Sequence, residues 1–297
     1  DGKYKDGKKA APVRIVAVDS QGKRVVMDFS LVTEAVAVQK PSPLAQLPRA
    51  EFGNYYALVI GNEKYTKLPS LDTAAVDARA VAKVLTDRYG FKVLLLINAT
   101  RYQTLSALNK MRAQLTEKDN LLIYYAGHGE LDRVNLRGHW LPVDAEADSD
   151  ANWISSVAVT DILNAMSAKH VLVVADSCYA GAMTRSAIAR LEPGMSDETR
   201  ITWLRALAKT RSRTVLTSGG LQPVIDGGGG GHSIFAKQFL QVLTANQDPI
   251  EAQRLYNEIS ARVLSAAVRL KQEQKPEYAP LKFAGHESGD FLFIPVN

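Results

Sequence analysis

The chain has 297 residues and a mass of 32.4 kDa, enough for one large or two average domains. Its 46% hydrophobic and 23% charged content excludes intrinsic disorder, no apolar run reaches the ~20 residues of a membrane span, and one cysteine excludes an internal disulfide or a Cys-rich zinc site. The net charge of +5 is local: five Lys/Arg against two Asp give residues 1–14 a net +3, so no basic stripe for nucleic acid is left on the rest.

In chain order, residues 12–38 read as short strands. Val13, Ile15 and Ala17 alternate with Arg14, Val16 and Val18, residues 19–22 supply a turn, and residues 24–29 return. Three prolines in residues 41–48 suit an extended linker. The expected boundary follows: residues 1–50 as a basic β arm and Pro-rich linker, residues 51–297 as the main domain. The chain starts at Asp1 with neither an initiator Met nor a signal-peptide core, so a piece of a longer chain is expected and its compartment is not legible.

From Asn54 strands and helices alternate. Strands are predicted over residues 55–60, 91–97, 121–126, 170–175, 214–217 and 291–296. Helices are predicted over 73–88, 102–116, 160–168, 201–209, 233–244 and 250–271. The first helix takes Asp72 or Thr73 as its cap and buries Val76, Ala80, Val84, Val81 and Leu85. Near-continuous apolar strands between helices predict an α/β three-layer sandwich with a mostly parallel central sheet.

Ligands of such sheets bind beyond the carboxyl ends of the strands. Gly127-His128-Gly129 follows one strand, and Asp176-Ser177-Cys178-Tyr179-Ala180-Gly181 follows another. Asp77 sits near the start of the first helix, at four and eight residues before Val81 and Leu85, on the inward stripe. A thiol of pKa ~8.5 needs a base to act at neutral pH, and an imidazole of pKa ~6.5 is suited to take and return its proton. The amides of Gly129 and Cys178 are the candidate oxyanion donors. Taken singly, Cys178 reads as a small buried hydrophobe and His128 as a loop residue. Together the two motifs favour catalysis.

Residues 124–129 (YYAGHG) and 176–181 (DSCYAG) resemble the two catalytic motifs of the caspase-like cysteine peptidases, most closely metacaspases and bacterial caspase homologues. The His and Cys are 50 residues apart, as in caspases. Residues 61–65 (GNEKY), 75–78 (AVDA) and 216–220 (LTSGG) extend the resemblance, which runs from Asn54 to the C-terminus. It implies His128 as general base and acid, Cys178 as nucleophile, and Gly129 with the Cys178 amide as the oxyanion hole. It also implies Asp77 and Asp176 as a clamp for Arg or Lys before the scissile bond. Ala126 departs from the pattern, since metacaspases often place a Ser there. Ser218 and Gly219 are expected to bind extended substrate by strand addition.

The stretch 179–213 carries seven basic and three acidic residues, and Arg185 or Arg190 is the expected place for self-cleavage. Gly227 to Gly231 lacks the Lys-Ser/Thr of a phosphate loop and reads as a flexible rim. No cofactor is required. Asp144, Glu146, Asp148 and Asp150 lack an EF-hand spacing, which leaves calcium as an optional activator. His139, His170, His232 and His286 read as structural. The expected partners are protein or peptide substrates, without nucleic acid or a membrane span, and a monomer is favoured over a dimer. The alternatives are a catalytically silent caspase-like binding or scaffold module, and an Asp-specific caspase.

Overall fold

The computed structural model describes residues 9–18, 24–33, 43–132, 134–135, 137–177, 195–219 and 230–296. It divides into two units, residues 1–42 and 43–297. Within the first, β1 (Lys9–Val18) and β2 (Arg24–Thr33) form an antiparallel hairpin with Lys9 opposite Thr33 and Val18 opposite Arg24.

The second unit runs β3 (Asn54–Gly61), α1 (Ala74–Tyr89), β4 (Lys92–Ile97), α2 (Arg101–Gln114), β5 (Asp119–Ala126), β6 (Gly129–Asp132), β7 (Arg137–Trp140), β8 (Ile154–Ser155) and α3 (Ser156–Asn164). It continues with β9 (His170–Asp176), α4 (Asp197–Lys209), β10 (Ser212–Thr217), α5 (Ile234–Ala245), β11 (Ile250–Glu251), α6 (Ala252–Arg269), β12 (Glu277–Pro280) and β13 (Leu292–Phe293). The central sheet has the order β12-β10-β9-β5-β3-β4, parallel except for β12, which is antiparallel to β10. Strands β6, β7 and β8 form a small separate antiparallel sheet beyond the end of β5.

β5 and β9 are buried along their whole length because the sheet is covered on both faces. The two-residue period of a strand sorts their side chains between two cores. Leu122, Tyr124 and Ala126 of β5, with Leu172 and Val174 of β9, pack toward α1, α5 and α6. Leu121, Ile123 and Tyr125, with Val171 and Val173, pack toward α2 and α3. Asp176 has the parity of Val174 and therefore lies on the α1/α5 side.

Several expectations are corrected. α3 starts at Ser156, not Thr160, because the Ser155 side chain accepts the Ala158 amide and caps the helix there. Met166 and Ala168, placed in that helix by the sequence, are buried in a loop. The fully buried Arg213 holds that loop, its guanidinium donating to the carbonyls of Leu163, Met166, Ala168, Lys169 and Ser212. Such donors let carbonyls be buried outside a helix. In α1 the buried face is Ala74, Asp77, Ala78, Val81, Ala82 and Leu85, whereas Val76 is exposed. Ile250 and Glu251 pair with β13 instead of opening α6. β12 has no clear sequence signal, since it is a short edge strand ending in proline.

Candidate active site

The strand ends fix the layout. Gly61 of β3 is in register with Ala126 of β5, and Ala126 with Asp176 of β9. The loop bearing His128 and the one opened by Ser177 thus leave neighbouring strands at the same level. Cys178 follows two positions after Asp176 and lies outside the described residues, as do Arg185 and Arg190.

His128 is pinned through its own backbone. Its amide N–H donates to the Tyr65 hydroxyl at 2.7 Å, and its carbonyl accepts from the Leu141 amide at 3.0 Å. The Tyr125 hydroxyl lies 2.8 Å from the His128 carbonyl and 2.9 Å from that of Leu141, so its one proton serves both. The Tyr65 and Tyr125 hydroxyls are themselves hydrogen-bonded, and burial holds the Tyr125 phenol protonated by pushing its pKa well up. Tyr125 in turn stacks on Trp140 at 4.6 Å and 8°. Glycine at 127 leaves room for both hydroxyls, since a Cβ there would sit 2.8 Å from each and something would have to shift.

The His128 ring rests against Tyr65, with centroids 4.6 Å apart, and its Nε2 is 2.9 Å from the Pro69 carbonyl. A carbonyl only accepts, so Nε2 carries the proton and Nδ1 of the neutral ring is the acceptor. Tyr65 and Pro69 belong to one loop after β3, which Asn98 fastens: its Oδ1 accepts the amides of Glu63 and Lys64, both at 2.9 Å. Asn98 itself takes the left-handed conformation (φ 55°) that Asn tolerates. Gly129 opens β6 and is buried.

The carboxylates also meet, across the α1/α5 face. Asp77 is 1% exposed and Asp176 9%. Ser233, the N-cap of α5, joins them: its amide donates to Asp77 Oδ2 at 3.1 Å and its hydroxyl to Asp176 Oδ2 at 2.6 Å. The same Ser233 oxygen accepts the Ala236 amide at 2.9 Å, so capping the helix and holding the carboxylates are one arrangement. The positive end of α5 favours two anions at this spot. His232 Nδ1 is 2.5 Å from Asp77 Oδ1, and the Thr73 side chain is hydrogen-bonded to Asp77 instead of capping α1. Tyr124 from β5 completes the wall, its hydroxyl 3.5 Å from Asp176. Burial raises the Asp77 pKa despite the bonds from Ser233, His232 and Thr73, and burial together with the two carboxylates raises that of Tyr124 well above the usual phenol value. The result is a pair of buried carboxylates gathered around Ser233, with His232 and Tyr124 against them.

Ser218 and Gly219 follow β10 at the same edge. The Ser218 amide donates to the Ala175 carbonyl at 3.0 Å, and its carbonyl accepts from Gln274 Nε2 at 3.0 Å. Gly220 and residues 221–229 lie outside the described residues. Of the acidic run, Asp144 accepts the Arg101 amide at the start of α2, and among the described residues no three metal-binding side chains converge. His232, Ser233, Thr73 and Tyr124 escape a reading of the sequence as site residues. A serine opening a helix after a glycine run signals the cap, but nothing local signals that this helix docks on Asp77.

The family model for the caspase domain matches residues 54–283. Human mucosa-associated lymphoid tissue lymphoma translocation protein 1 is 35% identical over 89 residues, 30% of this chain, and its mouse homologue matches equally. The matched segment amounts to 10% of that protein's length. Among solved structures, caspase-1 of Spodoptera frugiperda aligns with a TM-score of 0.55 at 15% identity, covering 77% of this chain and 87% of its own. Protein GSU0716 of Geobacter sulfurreducens aligns with 0.53 at 18% identity, covering 79% and 97%.

Proposed function

Since this chain belongs to the caspase-domain family, we propose that it is a cysteine endopeptidase cutting after Arg or Lys. His128 Nδ1 takes the proton of Cys178, and the thiolate attacks the scissile carbonyl. The amides of Gly129 and Cys178 hold the resulting oxyanion. His128 then protonates the leaving amine, and water, activated by the same ring, releases the acyl group. The basic side chain before the scissile bond enters between Asp77 and Asp176, while Gly219 is left to pair with the substrate backbone, since the Ser218 amide and carbonyl are held by Ala175 and Gln274.

The observation that carries the basic preference is the buried carboxylate pair held by Ser233. Two anions in a desolvated niche attract a guanidinium or ammonium and repel an aspartate, which argues against Asp specificity. Self-cleavage falls at Arg185 or Arg190, calcium enters at most as an activator, and the monomer is the working form.

Fluorogenic peptides with Arg, Lys or Asp before the reporter test this, with and without calcium. Turnover of the Arg and Lys peptides is expected, abolished by Cys178→Ala and His128→Ala. In Asp77→Asn, KM for Arg should rise about tenfold, the weight of one charge-assisted hydrogen bond. Preference for the Asp peptide refutes the specificity, and activity surviving Cys178→Ala refutes the mechanism.

A further inference from the structure

Both oxygens of Asp77 are taken: Oδ2 by the Ser233 amide and Oδ1 by His232 Nδ1. The Thr73 side chain bonds the same carboxylate. Ser233 and His232 differ in how firmly they are held. Ser233 is fixed by the cap of α5 and by Asp176, and is 4% exposed. The His232 side chain is 29% exposed and follows Gly230 and Gly231, both in the left-handed region (φ 71° and 95°). A Cβ on Gly231 would meet nothing within 4 Å, so the backbone beside His232 is not packed in.

Resting on the specificity proposed above, we propose that His232 is an internal cap on the basic-residue pocket. Its imidazole holds Asp77 Oδ1 in the free enzyme and yields that oxygen to the incoming guanidinium or ammonium. Asp77 is 1% exposed behind the 29% exposed imidazole, so a substrate cation reaches Oδ1 only by displacing His232, and an empty Oδ1 between substrates would carry a desolvation penalty. The cap meets that penalty and competes with substrate in doing so.

The groups around His232 are Asp77 from α1 and, across Ser233, Asp176 from β9, with the Tyr124 phenol behind them from β5. Lys237, one turn along α5, has its Nζ near Gly230.

The test measures KM for the Arg peptide at one fixed pH in wild type, His232→Ala and His232→Gln. His232→Ala should lower KM about two- to fivefold, the weight of a partly exposed pair. His232→Gln keeps a donor for Asp77 and should stay near wild type. An unchanged or raised KM in His232→Ala overturns the cap and leaves the peptidase reading intact. In parallel, calorimetry of Cys178→Ala with agmatine, a free guanidinium probe, reads the pocket without turnover. Tighter agmatine binding in Cys178→Ala/His232→Ala supports the cap even if no peptide is cut, which refutes only the peptidase. No change in agmatine affinity overturns the cap.

Discussion

Gly127→Ala is the most informative perturbation, because it displaces His128 without touching it. The new methyl would stand 2.8 Å from the hydroxyls of Tyr65 and Tyr125 and 3.0 Å from Tyr125 Cζ, well inside normal contact. Neither phenol can retreat cheaply. Tyr125 is locked on Trp140, and Tyr65 sits on a loop tied to Asn98. Overpacking of this kind costs about 1–3 kcal/mol, and the loss of one hydrogen bond to the His128 backbone adds about 1 kcal/mol. For a unit of this size a loss of 2–4 kcal/mol lowers Tm by roughly 5–10 °C. A shift of His128 by about 1 Å should lower kcat on the order of 100-fold. Differential scanning fluorimetry and turnover of the Arg peptide read the two effects. Because the clash is with the hydroxyls, Tyr65→Phe in the Gly127→Ala background should cost less than the two changes summed. A Gly127→Ala protein with wild-type Tm and kcat, or strict additivity in that double variant, would refute the reasoning.

Three further outcomes are expected. Asn98→Gly keeps the left-handed backbone but removes the acceptor for Glu63 and Lys64, so kcat should fall several-fold with only about 1–2 kcal/mol of stability lost, measured by urea unfolding. Arg213→Met takes one donor each from the carbonyls of Leu163, Met166 and Lys169, which keep the Met166 amide, Arg211 and the Ser212 amide, and takes the guanidinium donor from that of Ala168, so about 2–3 kcal/mol should be lost; unfolding midpoints within error of wild type would contradict this. Asp290, which accepts from Tyr278 and from the amides of Gln253 and Phe291, has its pKa pushed up to about 7 by burial. Between ~4 and 7 the folded state then binds a proton that the unfolded chain has lost, so this group's contribution to stability falls as pH rises through that window and is level above it. Asp290→Asn should show a flatter decline of Tm from pH 4 to 7 than wild type, and parallel curves would refute the assignment.

The local signals in this sequence carried far. The short apolar runs at residues 121–126 and 170–175 fit strands buried on both faces, and the open sheet with helices on either side follows from that. The motifs around His128 and Cys178 each sit just past such a run, and the period of α1 turns Asp77 inward beside Val81 and Leu85. These are short-range properties, set by strand and helix repeat. The loop taken for the end of a helix near Met166 marks where local pattern stops being enough, since its carbonyls are satisfied by a guanidinium from β10.

What surrounds the site is of that second kind. His128 depends on a tyrosine and a proline carbonyl about 60 residues earlier, and Asp77 on a histidine and a serine 155 and 156 residues later. Spacing along the chain does not encode such partners. They meet because Ala126 and Asp176 share a register and because the parity of β9 turns Asp176 toward α1 and α5. Residue type and period determined which groups face the sheet edge. Only the packing of α5 against α1 decided that a histidine, read from the sequence as structural, would stand over the buried carboxylate.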